Sequence, residues 1–542
     1  MEEVVGYTLK MDKIFDSLQG DSPILQTIGR YGYKVYEQRE LILMYTHLLA
    51  SALFPIYIGS HASLQRPPSA KPAPKSKSST SDEEDEDLDE EPSREGLSPS
   101  DAILFPLLAG LTLGFLYFVI KVLKKPELLN KILNYYFSSI GVFGVGKLAA
   151  DSLNVLTSFV FPNVWSDSTS TFYIDPLLSQ QVTGEVKRAR TQTHRKFTDK
   201  SNPFPGILSS LVLTDRLQRH AWSLRALVKK HWILRASVHG VATSKSKIRL
   251  NDITGLLIGV VTIVLYNTAA KPWWLTNIIG FGFCYGTLQL MSPTTFFTGS
   301  LVLVGLFFYD IAMVFYTPLM VTVATQLDAP IKLVIPGGKG GRGGMLGLGD
   351  VVLPGIMMAL ALRFDLYLHY HYLNKRSQPS TYIEATGSWG DRFWTRKLSS
   401  SAPLLDNVLT SANGGSFKKT YFNASLVGYI VAMLVTLYIL NVYNHAQPAL
   451  LYLVPGVLIA LWGTAAAKGE LGLMWGYTED GSIDVAGDEK ENADEKKDEE
   501  IKKKEKSEGQ SHHVFLFSLS EPKTRGGVLG NGALGKDVQI VA

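Results

Sequence analysis

Two aspartates inside long apolar stretches are the residues of this chain best placed to do chemistry. Asp310 lies in Leu-Phe-Phe-Tyr-Asp-Ile-Ala-Met, and Asp350 lies in Gly-Leu-Gly-Asp-Val-Val-Leu. A charged side chain at the centre of a membrane-spanning helix costs at least about 2.5–3.5 kcal/mol. Two such residues in neighbouring segments predict a shared site, in which one carboxyl group holds a proton and the other is ionised.

A carboxyl pair in these two protonation states can carry out hydrolysis with an activated water molecule. The ionised carboxylate takes a proton from the water, and the protonated carboxyl group donates to the carbonyl oxygen of the scissile bond. No covalent intermediate is required. Gly347 and Gly349 lack side chains, so the backbone before Asp350 can approach a neighbour or a substrate closely. Helix packing would explain a lone glycine, but we interpret Gly-Leu-Gly-Asp as one functional unit.

The elements that must position the two acids are membrane-spanning helices. Hydrophobic residues make up 46% of the 542 residues, and long apolar stretches alternate with highly charged ones. This pattern is typical of an all-α polytopic membrane protein, in which a span of about 20 residues crosses about 30 Å of hydrocarbon. We predict about nine transmembrane helices, at residues 41–58, 102–122, 129–161, 253–270, 274–291, 297–320, 345–362, 424–440 and 448–467.

The sixth and seventh predicted helices carry the two acids and follow one another, so they are antiparallel. Asp310 lies about ten residues before the end of the sixth helix, and Asp350 lies about five residues after the start of the seventh. Counted from the membrane face that the two helices share, both acids lie at a similar depth, within one or two helical turns. The spacing therefore allows the two carboxyl groups to meet.

Intramembrane acids also occur in other classes of membrane protein. Secondary transporters and ion-leak channels contain such acids in helices interrupted by Gly and Pro, although no internal repeat relates the two halves of this chain. A non-catalytic escort of membrane proteins is a further alternative. A zinc protease is not indicated, because the chain has no His-Glu-x-x-His sequence and its single cysteine, Cys284, lies in an apolar stretch.

Three short motifs, each in its expected helix, resemble those of the presenilin-type intramembrane aspartyl proteases. They are Tyr309-Asp310, Gly347-Leu348-Gly349-Asp350 and Gln447-Pro448-Ala449-Leu450. The longer strings at 329–336, 346–355 and 445–455 look like signal peptide peptidase rather than presenilin, as does Lys468-Gly469-Glu470 after the last helix. The resemblance is close over about 253–471 and only topological before that.

The resemblance implies an intramembrane-cleaving aspartic endopeptidase that needs no metal or cofactor. Asp310 and Asp350 would be its catalytic pair. Its substrates would be signal peptides and the transmembrane helices of type II membrane proteins, in the lipid bilayer of the endoplasmic reticulum. Homo-oligomerisation is left open, and no nucleic-acid-binding motif accompanies the basic residues. The supporting residues would be Tyr309, Gly347, Leu348 and Gly349 around the acids, while Gln447, Pro448, Ala449 and Leu450 would shape the substrate site.

The positive-inside rule orients the predicted helices. Lys and Arg are concentrated in segments 162–252 and 363–419, which both follow odd-numbered helices and are therefore predicted to be cytosolic. The N-terminus is then lumenal and the C-terminus cytosolic, as the resemblance also implies. The short loop with Lys121, Lys124 and Lys125 opposes this orientation. Asn423 begins the lone clear glycosylation sequon and is predicted to be unmodified on the cytosolic side.

Four regions are predicted from the composition along the chain. Residues 1–161 hold the first three helices and a disordered acidic linker at about 66–100, and residues 162–252 form a basic cytosolic insert. Residues 253–471 form the catalytic membrane core with a disordered-like loop at about 375–420, and residues 472–542 form a disordered cytosolic tail. The basic stretch 180–249 is predicted to be solvated, with contact to anionic lipid as the alternative.

A short segment between the two acids has the composition of a strand. Residues 331–335 are rich in β-branched side chains and lie between Pro330 and Pro336. A peptide bond in a helix is shielded by the hydrogen bonds of the helix, so a substrate has to unwind before it is cleaved. We therefore predict that 331–335 forms a strand that pairs with the unwound substrate. An ordinary lumenal loop is the alternative.

Overall fold

The computed structural model describes the chain in several ranges with short gaps inside them. These are residues 38–70, 95–123, 127–317, 329–337, 343–376, 382–396, 415–443, 447–479 and 515–520, together with residues 319 and 323. Most of the predicted acidic linker, parts of the predicted 375–420 loop, and the predicted tail apart from 472–479 and 515–520 lie outside the described residues.

Helices dominate the described structure because most of the sequence is apolar over helix-length stretches. In chain order they begin with α1 (Arg39–Ala62), α2 (Pro99–Leu123), α3 (Glu127–Val160), α4 (Asp215–Lys229), α5 (Leu250–Thr268) and α6 (Trp273–Leu290). They continue with α7 (Phe296–Phe315), α8 (Leu348–Arg376), α9 (Trp389–Thr395), α10 (Thr420–Tyr443), α11 (Leu450–Lys468) and α12 (Leu471–Trp475). A 3₁₀ turn occupies Gly206–Ser210.

Among the described helices, seven are long and apolar enough to cross a membrane, namely α1, α2, α5, α7, α8, α10 and α11. The prediction of a polytopic helical membrane protein is therefore confirmed. The third and fifth predicted spans correspond to α3 and α6, which are helical but are not among the seven. Helix α3 carries Lys147 and Asp151, and α6 contains several polar residues, which lowers their mean hydropathy. The count of nine stays a prediction.

Helix α8 lies at the centre of the helix bundle. In its apolar stretch 83% of the residues are buried, whereas in that of α2 only 6% are buried. A third acid, Asp365, lies near the middle of α8 and is buried. Its carboxylate accepts the backbone N–H groups of Thr420, Tyr421 and Phe422 at 2.9–3.1 Å. Asp365 therefore caps α10, because the first N–H groups of a helix have no partner within it.

Helices α3 and α5 approach so closely that their backbones touch. A Cβ atom added at Gly255 of α5 would lie 2.5 Å from the backbone nitrogen of Ala150, a distance that side chains do not reach. Asn251, in the first turn of α5, donates to Asn154 and to Thr157 at 2.9 and 3.0 Å. The last turns of α3 and the first turn of α5 therefore lie at the same level.

Strands occur mainly in the basic insert, which is folded rather than merely solvated. An antiparallel sheet has the order β2-β3-β4-β5, and a second antiparallel sheet has the order β11-β6-β7. Two short pairs complete the set: β1 with β8 in parallel, and β9 with β10 antiparallel. The strands are β1 (Glu95–Leu97), β2 (Val164–Ser166), β3 (Thr171–Asp175), β4 (Gln180–Val186), β5 (Thr193–Phe197), β6 (His231–Val238), β7 (Ala242–Arg249), β8 (Met291–Pro293), β9 (Lys332–Ile335), β10 (Gly344–Gly347) and β11 (Phe515–Ser520).

The insert and the loop that follows α8 pack against each other. Trp165, Phe172 and Trp222 of the insert belong to a small apolar cluster that Trp394 of α9 covers. Asp391 also lies in α9. Its carboxylate accepts the backbone N–H of Asn163, at the start of the insert just after α3 ends, at 2.7 Å. Part of the loop predicted to be disordered-like is therefore an ordered helix held against the insert.

The chain after α11 folds back onto the helices that carry the two acids. The backbone N–H of Glu479 donates to the carbonyl oxygen of Thr294 at 3.1 Å, just before α7 begins. The Glu479 carboxylate pairs with Arg363 of α8 and accepts from the hydroxyl group of Ser292. The predicted boundary at residue 472 therefore cuts through an ordered segment, since these buried polar contacts hold 471–479 against the bundle.

Candidate active site

Helix α7 places Asp310 in the interior of the bundle. The helix begins after Thr295, whose hydroxyl group accepts the backbone N–H of Thr298 at 3.1 Å and so satisfies one free donor of the first turn. Asp310 follows about four turns later and is 4% exposed. A carboxyl group that is so deeply buried requires a polar partner.

The partner of Asp310 is the first residue of α11. The backbone N–H of Leu450 donates to Asp310 Oδ2 at 3.2 Å. This N–H lies at a helix N-terminus, where the donors have no partner within the helix and the helix dipole is positive. Pro448 and Ala449 open the same turn through their carbonyl oxygens, which accept from Leu451 and Leu453. The Pro-Ala-Leu segment therefore holds one of the two acids directly.

Asp350 lies in the first turn of α8, close to the end of strand β10, and is partly buried. Its backbone carbonyl oxygen accepts from the hydroxyl group of Tyr429 at 3.3 Å. A Cβ atom at Gly347 would lie 3.4 Å from Asp350 Oδ2, whereas a Cβ atom at Gly349 would, apart from its chain neighbours and the backbone of its own helix, meet Leu353 Cδ1 at 3.9 Å. A Cβ atom at Gly347 would therefore touch the carboxyl group at an ordinary van der Waals distance, and a larger side chain there would crowd it.

The two acids face a common interior region of the bundle. Helix α7, which carries Asp310, packs against α8, which carries Asp350, and against α11, which begins at Leu450. Asp310, Asp350 and Leu450 are thus brought together. Two interacting carboxyl groups can share a proton, activate a water and polarise a carbonyl group. Within the described ranges, no cluster of three or more His, Cys, Asp or Glu side chains could hold a metal ion.

The other predicted site residues surround this centre without adding charge. Tyr309 is partly buried and faces α2, where a Cβ atom at Gly110 would lie 3.5 Å from its ring. Leu348 is buried and packs against α6, where a Cβ atom at Gly280 would lie 3.1 Å from it. Gln447 is partly buried. None of the three contacts an acid in a way that assigns it a chemical role.

A strand hairpin leads directly to Asp350. The prediction of a strand at 331–335 is confirmed, because Lys332–Ile335 forms β9. Strand β9 pairs antiparallel with β10, so that Val334 lies opposite Met345. Strand β10 ends at Gly347, three residues before the acid. The hairpin therefore places extended backbone directly before Asp350.

Asn277 and Tyr429 support the site and were missing from the predicted set. The buried amide of Asn277, in α6, accepts the backbone N–H of Val334 at 2.7 Å and donates to its carbonyl oxygen at 2.9 Å. The Asn277 side chain therefore occupies the edge of β9 that faces away from β10, at Val334. Asn277 could have been identified from the sequence, because it is a polar residue in the apolar sequence of α6. The partner of Tyr429 depends on how α8 and α10 pack, for which the sequence carries no comparable signal.

Comparison with known proteins places this geometry in a family. The family model described as Signal peptide peptidase matches residues 89–481, well over half of the 542 residues. The signal peptide peptidase of Homo sapiens is 28% identical over 476 residues, which cover 86% of this chain and 92% of that protein. A probable intramembrane protease of Schizosaccharomyces pombe is 35% identical over 218 residues, which cover 40% of this chain and 61% of that protein.

A nematode relative is similar over a comparable share of this chain. Intramembrane protease 2 of Caenorhabditis elegans is 35% identical over 242 residues, which cover 43% of this chain and 44% of that protein. The range that the family model matches includes Asp310, Asp350 and Leu450. This chain therefore belongs to the signal peptide peptidase family and is an intramembrane aspartyl protease.

Proposed function

We propose that Asp310 and Asp350 are the catalytic pair of this protease and that their roles differ. The N–H of Leu450 and the positive end of α11 stabilise the ionised form of Asp310, which therefore acts as the base. Asp350 faces that charge, and no hydrogen-bond donor in the described part of the chain reaches its carboxyl group. Asp350 therefore holds the shared proton and acts as the acid. The 3.2 Å bond between Leu450 and Asp310 carries this proposal.

The reaction follows from these roles. The Asp310 carboxylate takes a proton from a water molecule while the water oxygen attacks the carbonyl carbon of the scissile bond, and Asp350 gives its proton to the carbonyl oxygen. The product of this step is a gem-diol. When the gem-diol collapses, the carbon–nitrogen bond breaks, and the proton held by Asp310 passes to the leaving nitrogen. A proton from the gem-diol returns to Asp350, which restores the starting state of the pair.

We place the unwound substrate on strand β10 rather than on β9. Because Asn277 holds the N–H and C=O of Val334, the outer edge of β9 is occupied at that residue. In an antiparallel pair, the N–H and C=O of the opposite residue, Met345, then point away from β9. Met345 is also 64% exposed. A substrate that adds an extended strand at this edge would run toward Asp350.

Contacts outside the membrane support nine crossings. Strand β11 of the tail pairs with β6 of the insert, so the tail and the insert lie on one side. An even number of the intervening helices, α5 to α8, α10 and α11, has to cross, and five of these six are among the seven apolar helices. Because five crossings would be an odd number, α6 has to cross as well.

The same parity applies to α3. Strand β1, which precedes α2, pairs with β8, which follows α6, so α2 begins on the side of the insert. Helix α3 ends on that side too, since β2 of the insert follows it almost directly. If α2 crosses, α3 has to return. The basic residues of the insert favour the cytosol for that side, which supports a lumenal N-terminus and a cytosolic C-terminus.

The substrates that we propose are signal peptides and the transmembrane helices of type II membrane proteins, cleaved in the endoplasmic reticulum membrane. The human relative is named for signal peptides. Membership of a protease family also favours this function over the alternative of a secondary transporter or an ion-leak channel.

Competition with a transition-state mimic tests the proposed chemistry. A peptide isostere with a hydroxyl group at the scissile position resembles the gem-diol, so it should bind far more tightly than the substrate peptide. We expect it to inhibit cleavage of a helical membrane peptide by the purified protein, and to protect the site from a photoreactive version of the same compound. Unchanged cleavage at a large excess of the isostere would contradict the proposed reaction.

A further inference from the structure

The basic insert exposes an apolar surface that no described residue covers. On the 3₁₀ turn and the residues after it, Ile207 is 91% exposed and Val212 is 100% exposed. Large contiguous apolar surfaces of this kind mark interaction sites. The insert apolar face, as we call it, consists of Ile207, Leu208, Leu211 and Val212 together with Leu217, Leu224 and Leu227 of α4.

The exposed turn is held rigidly in this conformation. The buried amide of Asn202 donates to the carbonyl oxygens of Leu208, Ser209 and Leu211 at 2.9–3.1 Å. Gly206 has a φ of +60°, and a Cβ atom there would lie 2.8 Å from the Trp394 ring. The amide of Asn202 therefore fixes the backbone of the turn, and this backbone conformation directs the apolar side chains outward.

Helix α4 adds an amphipathic face beside the turn. Its inner side is anchored by Trp222, whose indole N–H donates to the carbonyl oxygen of Ser201 at 2.9 Å, next to Asn202 in the chain. Leu217, Leu224 and Leu227 repeat at helical spacing on the outer side. The turn and α4 therefore lie next to each other.

Contacts with two membrane helices place this face at the membrane boundary. Arg225 of α4 donates to the carbonyl oxygen of Pro162, just after α3 ends. Helix α4 also packs against the membrane helix α5. On the side of the turn, Trp394 donates to the carbonyl oxygen of Phe159 in the last turn of α3 at 2.9 Å.

The charge of the same segment matches an anionic surface. Residues 206–230 contain one Asp residue and five Lys or Arg residues, of which Arg216, Arg219 and Lys230 are exposed. Arg216 and Arg219, in the first turns of α4, are exposed and flank the apolar side chains. Leucines on one face of a helix with flanking arginines are typical of helices that lie in the plane of a membrane interface.

We propose that the insert apolar face inserts into the anionic lipid leaflet that surrounds the cytosolic ends of α3 and α5. The turn and α4 then form a monotopic membrane anchor that lies in the interface, in addition to the helices that cross. The alternative occupants, a second copy of this chain or a separate protein, do not require the face to lie beside the ends of two membrane helices.

Depth measurements on the full-length protein test this proposal. Cys284 is the only cysteine and is buried, so a Cys284→Ala background accepts single spin labels. Labels at Leu217→Cys and Leu224→Cys lie on the apolar face, and Ala226→Cys on the opposite, exposed side of α4 is the matched control. The protein is placed in nanodiscs of phosphatidylcholine with phosphatidylserine, and each label is exposed to oxygen and to a water-soluble nickel chelate.

We expect the labels at 217 and 224 to lie about 5–10 Å below the lipid phosphates, reached by oxygen and protected from nickel. The label at 226 should be open to nickel. Equal nickel access at 224 and 226 would overturn the proposal. Spin–spin broadening at 224 that disappears on dilution with unlabelled protein would overturn it in favour of a second copy of this chain.

The flanking arginines give a second, independent readout. In nanodiscs with phosphatidylserine, Arg216→Gln combined with Arg219→Gln should move the label at 224 toward water, because the attraction to anionic lipid is reduced. In nanodiscs of phosphatidylcholine alone, the same two changes should leave its depth unaltered. A label depth that is independent of both the arginines and the lipid charge would contradict an anionic leaflet as the occupant.

Discussion

The backbone N–H of Leu450 donates to Asp310 Oδ2 at 3.2 Å, so the last membrane helix begins on one of the two intramembrane acids. This contact gives the Pro-Ala-Leu motif a physical role beyond shaping a substrate site. The motif orients an N–H group and the positive end of a helix dipole toward a buried carboxylate. It also makes the two acids inequivalent, since Asp350 contacts α10 through its backbone carbonyl oxygen instead.

The two glycines before Asp350 should respond differently to substitution. A side chain at Gly347 starts 3.4 Å from Asp350 Oδ2, so Gly347→Val should crowd the carboxyl group and lower the cleavage rate by about tenfold, given that overpacking costs about 1–3 kcal/mol. Gly349→Val is the matched control, because apart from its chain neighbours and the backbone of its own helix its Cβ atom meets Leu353 at 3.9 Å. Cleavage of a helical membrane peptide measures both. Equal losses, or a larger loss at 349, would contradict the geometry.

The free edge of β10 predicts an effect on substrate binding. Met345→Pro removes an outward N–H group at an edge position, where proline is tolerated. We expect KM for a membrane peptide to rise by about fivefold, which corresponds to one lost hydrogen bond of about 1 kcal/mol. Met345→Ala keeps the N–H and should retain most of the wild-type KM. Identical KM values for the two variants would show that the substrate does not pair at this edge.

The strand beside the acids and the two acids themselves were predictable because each left a local signal. Asp310 and Asp350 stand out as costly charges in apolar sequence, and the β-branched run 331–335 stands out between two prolines. The choice between β9 and β10 as the substrate edge was not predictable. It depends on Asn277, whose side chain reaches Val334 only after α6 has packed beside the hairpin.

The folded insert escaped prediction for a related reason. Its sheets are held by buried polar side chains such as Gln181, which donates to the carbonyl oxygens of Asn202 and Phe204 at 2.8 and 3.0 Å. In sequence such residues resemble solvated ones. Their partners lie about twenty residues away and become evident only in the structure.

The stability of the insert should depend on pH through Lys229. Burial, helped by the charges of Arg225 and Arg249, lowers the pKa of Lys229 to about 7 in the folded protein, against an ordinary value of 10.5. Between these two values the unfolded chain binds a proton that the folded insert does not, so the free energy of unfolding should rise with pH from about 7 to about 10. Hydrogen exchange of the backbone amides in residues 162–252, followed as a function of pH, measures this free energy of unfolding.

The matched control for this pH dependence is Lys229→Met, which keeps the length of the side chain and removes the titrating group. The variant should lose the rise in stability across the same pH range. It should also gain stability near neutral pH, because a buried positive charge is no longer required. An unchanged rise in the variant would mean that another group is responsible.

The orientation of the chain predicts the state of its lone clear glycosylation sequon. Asn423 lies in the first turns of α10, at the end that shares its side with the insert, and a cytosolic position excludes it from glycosylation. The protein expressed in microsomes should therefore show no change in mobility on endoglycosidase treatment. A sequon engineered near the N-terminus provides the positive control, because that segment should be lumenal. Glycan at Asn423 would reverse the proposed orientation.

The central claim, that Asp310 and Asp350 together hydrolyse a peptide bond inside the membrane, is tested most directly by cleavage of one signal peptide by purified protein in lipid nanodiscs. Asp310→Ala and Asp350→Ala should each abolish cleavage while the protein still accumulates and folds. Asp151→Asn, which changes an acid that pairs with Lys147 of the same helix α3 and with Tyr285 of α6, should leave cleavage intact. Cleavage that survives either alanine variant, or no cleavage by the intact protein, would contradict the account.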